Sequence, residues 1–112
     1  MLVPAPVLNE YFKTFTTDAL GQIFATGILN IEAYNKISVE IIQWPHVAVS
    51  MTVLCYMGKL SGSTLAETIA QFPLGTTGQI HSFDVIGPEF SVVLTGGPAS
   101  TSVPIQAWVF LH

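Results

Sequence analysis

Apolar residues recur at every second position in several short segments of this chain. In the segment 36–44, the apolar residues Ile37, Val39 and Ile41 alternate with the polar residues Ser38 and Glu40. Successive side chains of a β-strand point to opposite faces, so this spacing predicts a strand with one buried face. Glycine and proline separate the segments, as is typical of short strands joined by turns.

The same spacing predicts strands along most of the chain. They cover the segments 23–32, 36–44, 47–57, 79–86, 89–95 and 103–111. Segments 9–20 and 63–72 fit either a strand or a short helix, and the strand is favoured for 63–72 because its neighbours are strands. Trp44-Pro45-His46 is predicted to be a turn or an edge bulge, because proline cannot donate to a ladder. Gly87-Pro88 is predicted to join two strands, and residues 33–35 are a candidate hairpin that would place Glu32 near Lys36.

Seven or eight short strands separated by turn residues predict an all-β fold. The expected architecture is an antiparallel β-sandwich of jelly-roll or immunoglobulin-like type, with one short helix allowed at an ambiguous segment. The length of 112 residues fits a single domain over residues 1–112.

Charged side chains are scarce. They make up 9% of the chain, which has three lysines, no arginine and a formal net charge of −4, whereas a typical soluble domain has about 25%. Binding to a phosphate backbone depends on clustered lysine and arginine. Nucleic acid is therefore not expected as a partner, and the same argument disfavours an anionic membrane surface.

Neither a targeting segment nor a membrane-spanning helix is expected. Residues 1–6 (MLVPAP) lack the basic and long apolar regions of a signal peptide, so a cytoplasmic or virion-associated location is expected. Two long segments without charges, 41–58 and 90–112, are interrupted by proline, glycine and polar side chains. A spanning helix needs about 20 mainly apolar residues.

No pattern in the chain predicts catalysis, a cofactor or a metal. Cys55 is the only cysteine, so no intrachain disulfide can form, and its place among alternating apolar residues predicts a buried thiol. His46, His81 and His112 do not have the spacing of metal ligands. No nucleophile, phosphate-loop or dinucleotide motif occurs.

The aromatic residues supply the candidate ligand or interface positions. Trp44 lies next to Gln43 and near His46, and Trp108 lies two residues from Gln106. An aromatic ring beside amide or imidazole groups is the surface that a sugar would require. Tryptophan is equally typical of a core or of a contact between subunits.

Three stretches resemble a pattern found in small bacterial and phage accessory β-sandwich modules. They are residues 34–39 (YNKISV), 85–94 (VIGPEFSVVL) and 107–110 (AWVF). The pattern is a turn, then an exposed strand, then a Gly-Pro hairpin, and it extends over about two-thirds of the chain. The resemblance implies a sandwich without catalytic activity and assigns a role to no particular residue.

The segment 103–111 predicts self-association. Its odd positions form one apolar face, while Trp108 and Phe110 make the opposite face apolar as well. Because the chain has few lysines to protect exposed sheet edges, we expect a closed homodimer or homotrimer that buries this second face together with Trp44 or Trp108. The expected function is a non-enzymatic structural or assembly module. The alternatives are a module that binds carbohydrate or another small ligand, and an enzyme with a carboxylate or histidine in a cleft between subunits.

Overall fold

The computed structural model describes residues 7–44, 49–59 and 65–112, which fold without a helix into β-structure. The described residues form nine strands: β1 (Val7–Thr16), β2 (Ile23–Phe24), β3 (Leu29–Asn30), β4 (Lys36–Gln43), β5 (Thr52–Lys59), β6 (Leu65–Pro73), β7 (His81–Asp84), β8 (Glu89–Thr95) and β9 (Ser102–Leu111). The predicted all-β class is confirmed, with nine strands rather than seven or eight. Both ambiguous segments contain strands, β1 and β6.

The strands form two antiparallel sheets. The first sheet has the order β1-β9-β4-β7, and the second has the order β2-β8-β5-β6 with β3 also paired to β8. The pairs are nested along the chain: β1 lies against β9, β2 and β3 against β8, β4 against β7, and β5 against β6. This is a long hairpin rolled up into two layers. It is the jelly-roll arrangement, which decides between the two predicted types.

The core lies between the inner faces of the two sheets. On β9 the alternating residues Val103, Ile105 and Val109 are at most 2% exposed. On β8 of the opposite sheet, Phe90 and Leu94 are fully buried. Burial of each such side chain stabilises the fold by about 1.5–3 kcal/mol. The predicted inward faces of these strands, and of β4, are thus confirmed.

Paired segments of the chain cross from one sheet to the other together, at corners. At the first corner, the hydroxyl of Thr17 donates to the carbonyl of Pro98 at 2.6 Å and accepts from the amide of Thr101 at 2.8 Å. The amide of Gly97 donates to the carbonyl of Gly21 at 3.2 Å. Gly21 has a φ of +74°, and a Cβ there would lie 2.0 Å from the Gly97 oxygen. Only glycine allows the two loops to approach so closely.

The second corner links β3 to β4 and β7 to β8. The amide of Ile31 donates to the carbonyl of Pro88 at 2.8 Å, and the amide of Val85 donates to the carbonyl of Asn35 at 2.8 Å. The links 33–35 and 87–88 both pass from one sheet to the other, so neither closes a hairpin. Gly87-Pro88 does join two strands, as predicted. The candidate hairpin at 33–35 and the Gly-Pro hairpin of the resemblance are wrong, because a short link with turn residues has the same composition whether its strands pair or separate.

The predicted contact between Glu32 and Lys36 is also wrong. Lys36 lies opposite Asp84 of β7 in the ladder, while β3, just before Glu32, pairs with β8 in the other sheet. The predicted strand 23–32 is divided into β2 and β3, with Gly27 between them at a φ of +64°. The alternation of apolar residues in the sequence continues through this break, although the backbone between β2 and β3 is not part of a strand.

The third corner is organised by a buried amide. Gln43, 2% exposed, donates from its Nε2 to the carbonyls of Val49 at 2.7 Å and Leu74 at 3.2 Å, and accepts from the amide of Val49 at 2.8 Å. Residues 47 and 48 of the strand predicted from 47 to 57 lie outside the described residues, and β5 begins at Thr52. Pro45 and His46 of the predicted Trp44-Pro45-His46 turn also lie outside the described residues.

Replacement of Gln43 by leucine should therefore destabilise the fold. Gln43→Leu keeps the volume but leaves the buried polar groups of Val49 and Leu74 without this partner, at an expected cost of about 3 kcal/mol in the free energy of unfolding. Urea denaturation followed by circular dichroism measures the effect. Gln106→Leu is the matched control, because Gln106 is exposed on β9. Equal stability of the two variants would contradict the role of the corner.

Candidate functional site

Aromatic side chains gather on the outer side of the first sheet. We call Phe12, Trp44, Trp108 and Phe110 the aromatic face. Trp108 and Phe110 alternate with the buried residues of β9 and therefore point outward. The rings of Phe12 and Trp44 lie 4.8 Å apart at 40°. Phe12 is 53% exposed and Trp44 39% exposed, whereas Trp108 and Phe110 are half-buried.

The aromatic face has both uncharged and acidic neighbours in the sheet. Gln106, which is exposed, lies between Phe12 and Ile42 in the register of β1, β9 and β4. At the far end, Phe110 stacks on His112 with 4.7 Å between ring centres, and the Nε2 of His112 lies 3.2 Å from the hydroxyl of Ser38. Trp108 lies opposite Glu10 of β1 on one side and opposite the half-buried Glu40 of β4 on the other. The face is an aromatic surface interrupted at Trp108 by acidic positions of both neighbouring strands.

The predicted ligand positions are only partly brought together. Gln43 points into the third corner, so it does not accompany Trp44 on the outer surface. The predicted grouping of Gln43 with Trp44 is therefore wrong. Gln43 points inward from β4 and hydrogen-bonds to the backbone carbonyls of Val49 and Leu74. His46 lies outside the described residues. Trp108 and Gln106, two residues apart on β9, share the outer face.

A second feature, not foreseen from the sequence, is a groove at one open edge of the sandwich. It lies between β1 of the first sheet and the β2–β3 region of the second, and has a volume of about 390 Å³. Its lining residues are Lys13, Phe15, Phe24, Ala25, Thr26, Leu29 and Val109. Lys13 occupies the position opposite the buried Ile105, so a lysine at an inward-facing strand position was the available signal.

A smaller, more polar cavity of about 220 Å³ lies near the opposite edge. His81 lines it and stacks on Phe72, with 3.7 Å between the ring centres. The Nε2 of His81 is buried without a hydrogen-bond partner among the described residues. His81 and Asp84 fall on opposite faces of β7, as their spacing predicts: His81 is half-buried and Asp84 is exposed.

Within the part of the chain that the structure describes, there is no group of three potential metal ligands. The same part contains no helix that is long and apolar enough to cross a membrane. The buried thiol predicted for Cys55 is confirmed, because Cys55 is 0% exposed. Burial raises its pKa to about 12, so the thiol stays protonated and unreactive at neutral pH.

With this geometry established, the fold can be compared with solved structures. A chain from the disulfide-linked pili of Bacillus endospore appendages aligns with a TM-score of 0.57 and 15% identity, covering 96% of this chain and 87% of the pilus chain. A chain of infectious bursal disease virus, Gx strain, aligns with a TM-score of 0.51 and 16% identity, covering 97% of this chain and 33% of the viral one. These similarities show a shared β-sandwich fold.

No family model matches the chain, and no curated protein matches it. The disulfide links of the pili belong to those proteins. In this chain the only cysteine, Cys55, is buried in the core, where it cannot reach a neighbouring copy while the domain is folded.

We expect Cys55 to resist alkylation in the native protein. Iodoacetamide reacts with the thiolate, and at pH 8 a thiol with a pKa near 12 is almost entirely protonated as well as shielded. Mass spectrometry should show an unmodified chain under native conditions and one added group in guanidinium chloride. Rapid native labelling would contradict the buried placement of this side chain.

Proposed function

We propose that this protein is a non-enzymatic structural subunit that associates with copies of itself through the aromatic face. The observation that carries the proposal is the placement of Phe12, Trp44, Trp108 and Phe110 on one side of the first sheet, with Phe12 and Trp44 substantially exposed. Exposed aromatic surface is typical of interaction sites. Aromatic residues are also enriched at protein interfaces.

The size of the expected contact follows from its energetics. Association costs about 4–15 kcal/mol in lost freedom, and burial of one exposed aromatic side chain contributes about 1.5–3 kcal/mol. In a symmetric dimer both copies bury Phe12 and Trp44, but these rings are already about half buried, so the four side chains together contribute about 3–6 kcal/mol, which reaches only the low end of this cost. The proposed interface therefore includes the half-buried rings of Trp108 and Phe110, so that most of the outer face is covered.

A second copy is the proposed occupant because aromatic rings make up much of this face and the chain has few cationic side chains with which to bind an anionic partner. The chain has three lysines and no arginine, and the described residues of this face are mostly aromatic or uncharged. An apolar face matches an identical apolar face across a two-fold axis without any further complementarity. The Bacillus pilus and the virus contain chains of the same fold within assembled structures, which supports an assembly role.

The mass in solution tests this proposal. Light scattering after gel filtration at micromolar concentration should give two or three times the 12.1 kDa of one chain. The double variant Phe12→Lys, Trp44→Lys places two positive charges on the aromatic face and should elute as a monomer. Its far-ultraviolet circular dichroism should be unchanged, because both side chains are exposed.

The matched control is Leu20→Lys, Ile86→Lys. These residues are 77% and 75% exposed and lie in connecting segments outside the aromatic face, so this variant should keep the mass of the wild type. A wild-type protein that is monomeric at these concentrations would overturn the proposal. Loss of association in both variants would show that added charge, rather than this face, is responsible.

A carbohydrate-binding surface is the second candidate, and Gln106 beside Trp108 favours it. An exposed amide next to an aromatic ring can hydrogen-bond and stack against a sugar. This use competes with self-association, since both need the outer side of β9. A glycan array separates the two candidates. Binding by a monomeric wild-type protein, lost in Gln106→Ala, would favour the carbohydrate reading.

A further inference from the structure

We propose that the groove between β1 and the β2–β3 region binds the carboxylate and hydrocarbon chain of a medium-chain fatty acid. The groove is separate from the aromatic face, because its residues lie at the edge of the sandwich on the inner side of β1. The inference does not depend on self-association. It assigns a ligand class to a cavity that the proposed structural role does not use.

The wall of the groove is apolar and comes from both sheets. Phe15 and Val109 belong to the first sheet, while Phe24 and Leu29 belong to the second. Phe24 is 64% exposed, so part of this wall is open to solvent. The volume of about 390 Å³ lies at the lower end of the range of about 300–1,000 Å³ for small-molecule pockets. A flexible chain of moderate length fits a groove of this size.

Lys13 gives the groove its charge. It is opposite the core residue Ile105 in the ladder, yet it is exposed and lines the groove. Its ammonium group lies 4.9 Å from the centre of the Phe15 ring. Among the residues whose side chains the structure describes, no carboxylate forms an ion pair with Lys13. A cation above an apolar hollow is complementary to an anionic head with an apolar tail.

Edge protection is the competing explanation for Lys13. An inward-pointing charge on an edge strand prevents pairing with another strand, and β1 is an edge strand of the first sheet. This explanation accounts for the lysine but requires no cavity under it. The two explanations predict different effects when the charge is removed: weaker ligand binding in one case, and strand-mediated association in the other.

Titration with octanoate, decanoate and octanol tests the proposal. Amide chemical shifts and calorimetry should show decanoate binding about 15-fold more tightly than octanoate, because each buried methylene contributes about fourfold. Octanol, which lacks the charge, should bind more weakly than octanoate. The shifts should concentrate on β1, β2 and β3.

Variants locate the site. Lys13→Gln should weaken decanoate binding about fivefold, the upper range for an exposed ion pair, and Phe24→Ser should weaken it by removing an exposed wall. The matched controls are Lys36→Gln and Ile80→Ser, because both residues are exposed and neither lines the groove. An affinity that does not change with chain length, or that survives Lys13→Gln, would overturn the proposal. Aggregation of Lys13→Gln with unchanged decanoate affinity would identify edge protection instead.

Discussion

Hydrogen bonds between paired corner segments hold the two sheets in one rolled hairpin. At each corner two antiparallel stretches leave one sheet together, so the amides and carbonyls that lose their ladder partners need new ones. Thr17 supplies partners at the first corner, backbone groups pair directly at the second, and the amide of Gln43 serves the third. The inner surfaces of the two sheets face each other and enclose the core because the chain crosses between the sheets at these corners. Both candidate surfaces depend on them too, because each is formed on strands that the corners place.

The alternation of apolar and polar residues predicted the strands and their buried faces, but it could not predict which strands pair with each other. The inward residues of β4, β8 and β9 could be read from the sequence because burial of alternate side chains is a local property. The partner of a strand depends on contacts across most of the chain, as in the pairing of β1 with β9. Gly87-Pro88 shows the difficulty, since the residues of a crossing and of a hairpin turn are alike. Gln43 did carry a usable signal: it is polar, yet in phase with Ile37, Val39 and Ile41, which is the mark of a buried polar group that must find partners.

The sequence predicted part of the aromatic face but did not predict the groove. Trp108 and Phe110 lie on one strand, so their shared face followed from spacing alone, and Phe12 joined them only through the register of β1. The groove draws its wall from strands that are far apart in sequence and meet only at the open edge of the sandwich. Among the described residues that line the groove, Lys13 is the charged residue at an inward strand position. A charged residue at an inward strand position is thus as informative about a surface site as an aromatic residue at an outward one.

The strands that would mediate self-association are the ones that close the core. One face of β9 and β4 packs into the core, and Trp108 and Trp44 lie on or near the opposite, outer face. A contact that covers the outer face would therefore involve the same strands that form the core. Because Cys55 is buried and protonated, association of folded copies through this face must be non-covalent and depends on protein concentration. Mass action then couples assembly to folding: any contact made only by the folded chain raises its stability as concentration increases. If the proposed self-association occurs, the folded chain is therefore most stable at high protein concentration.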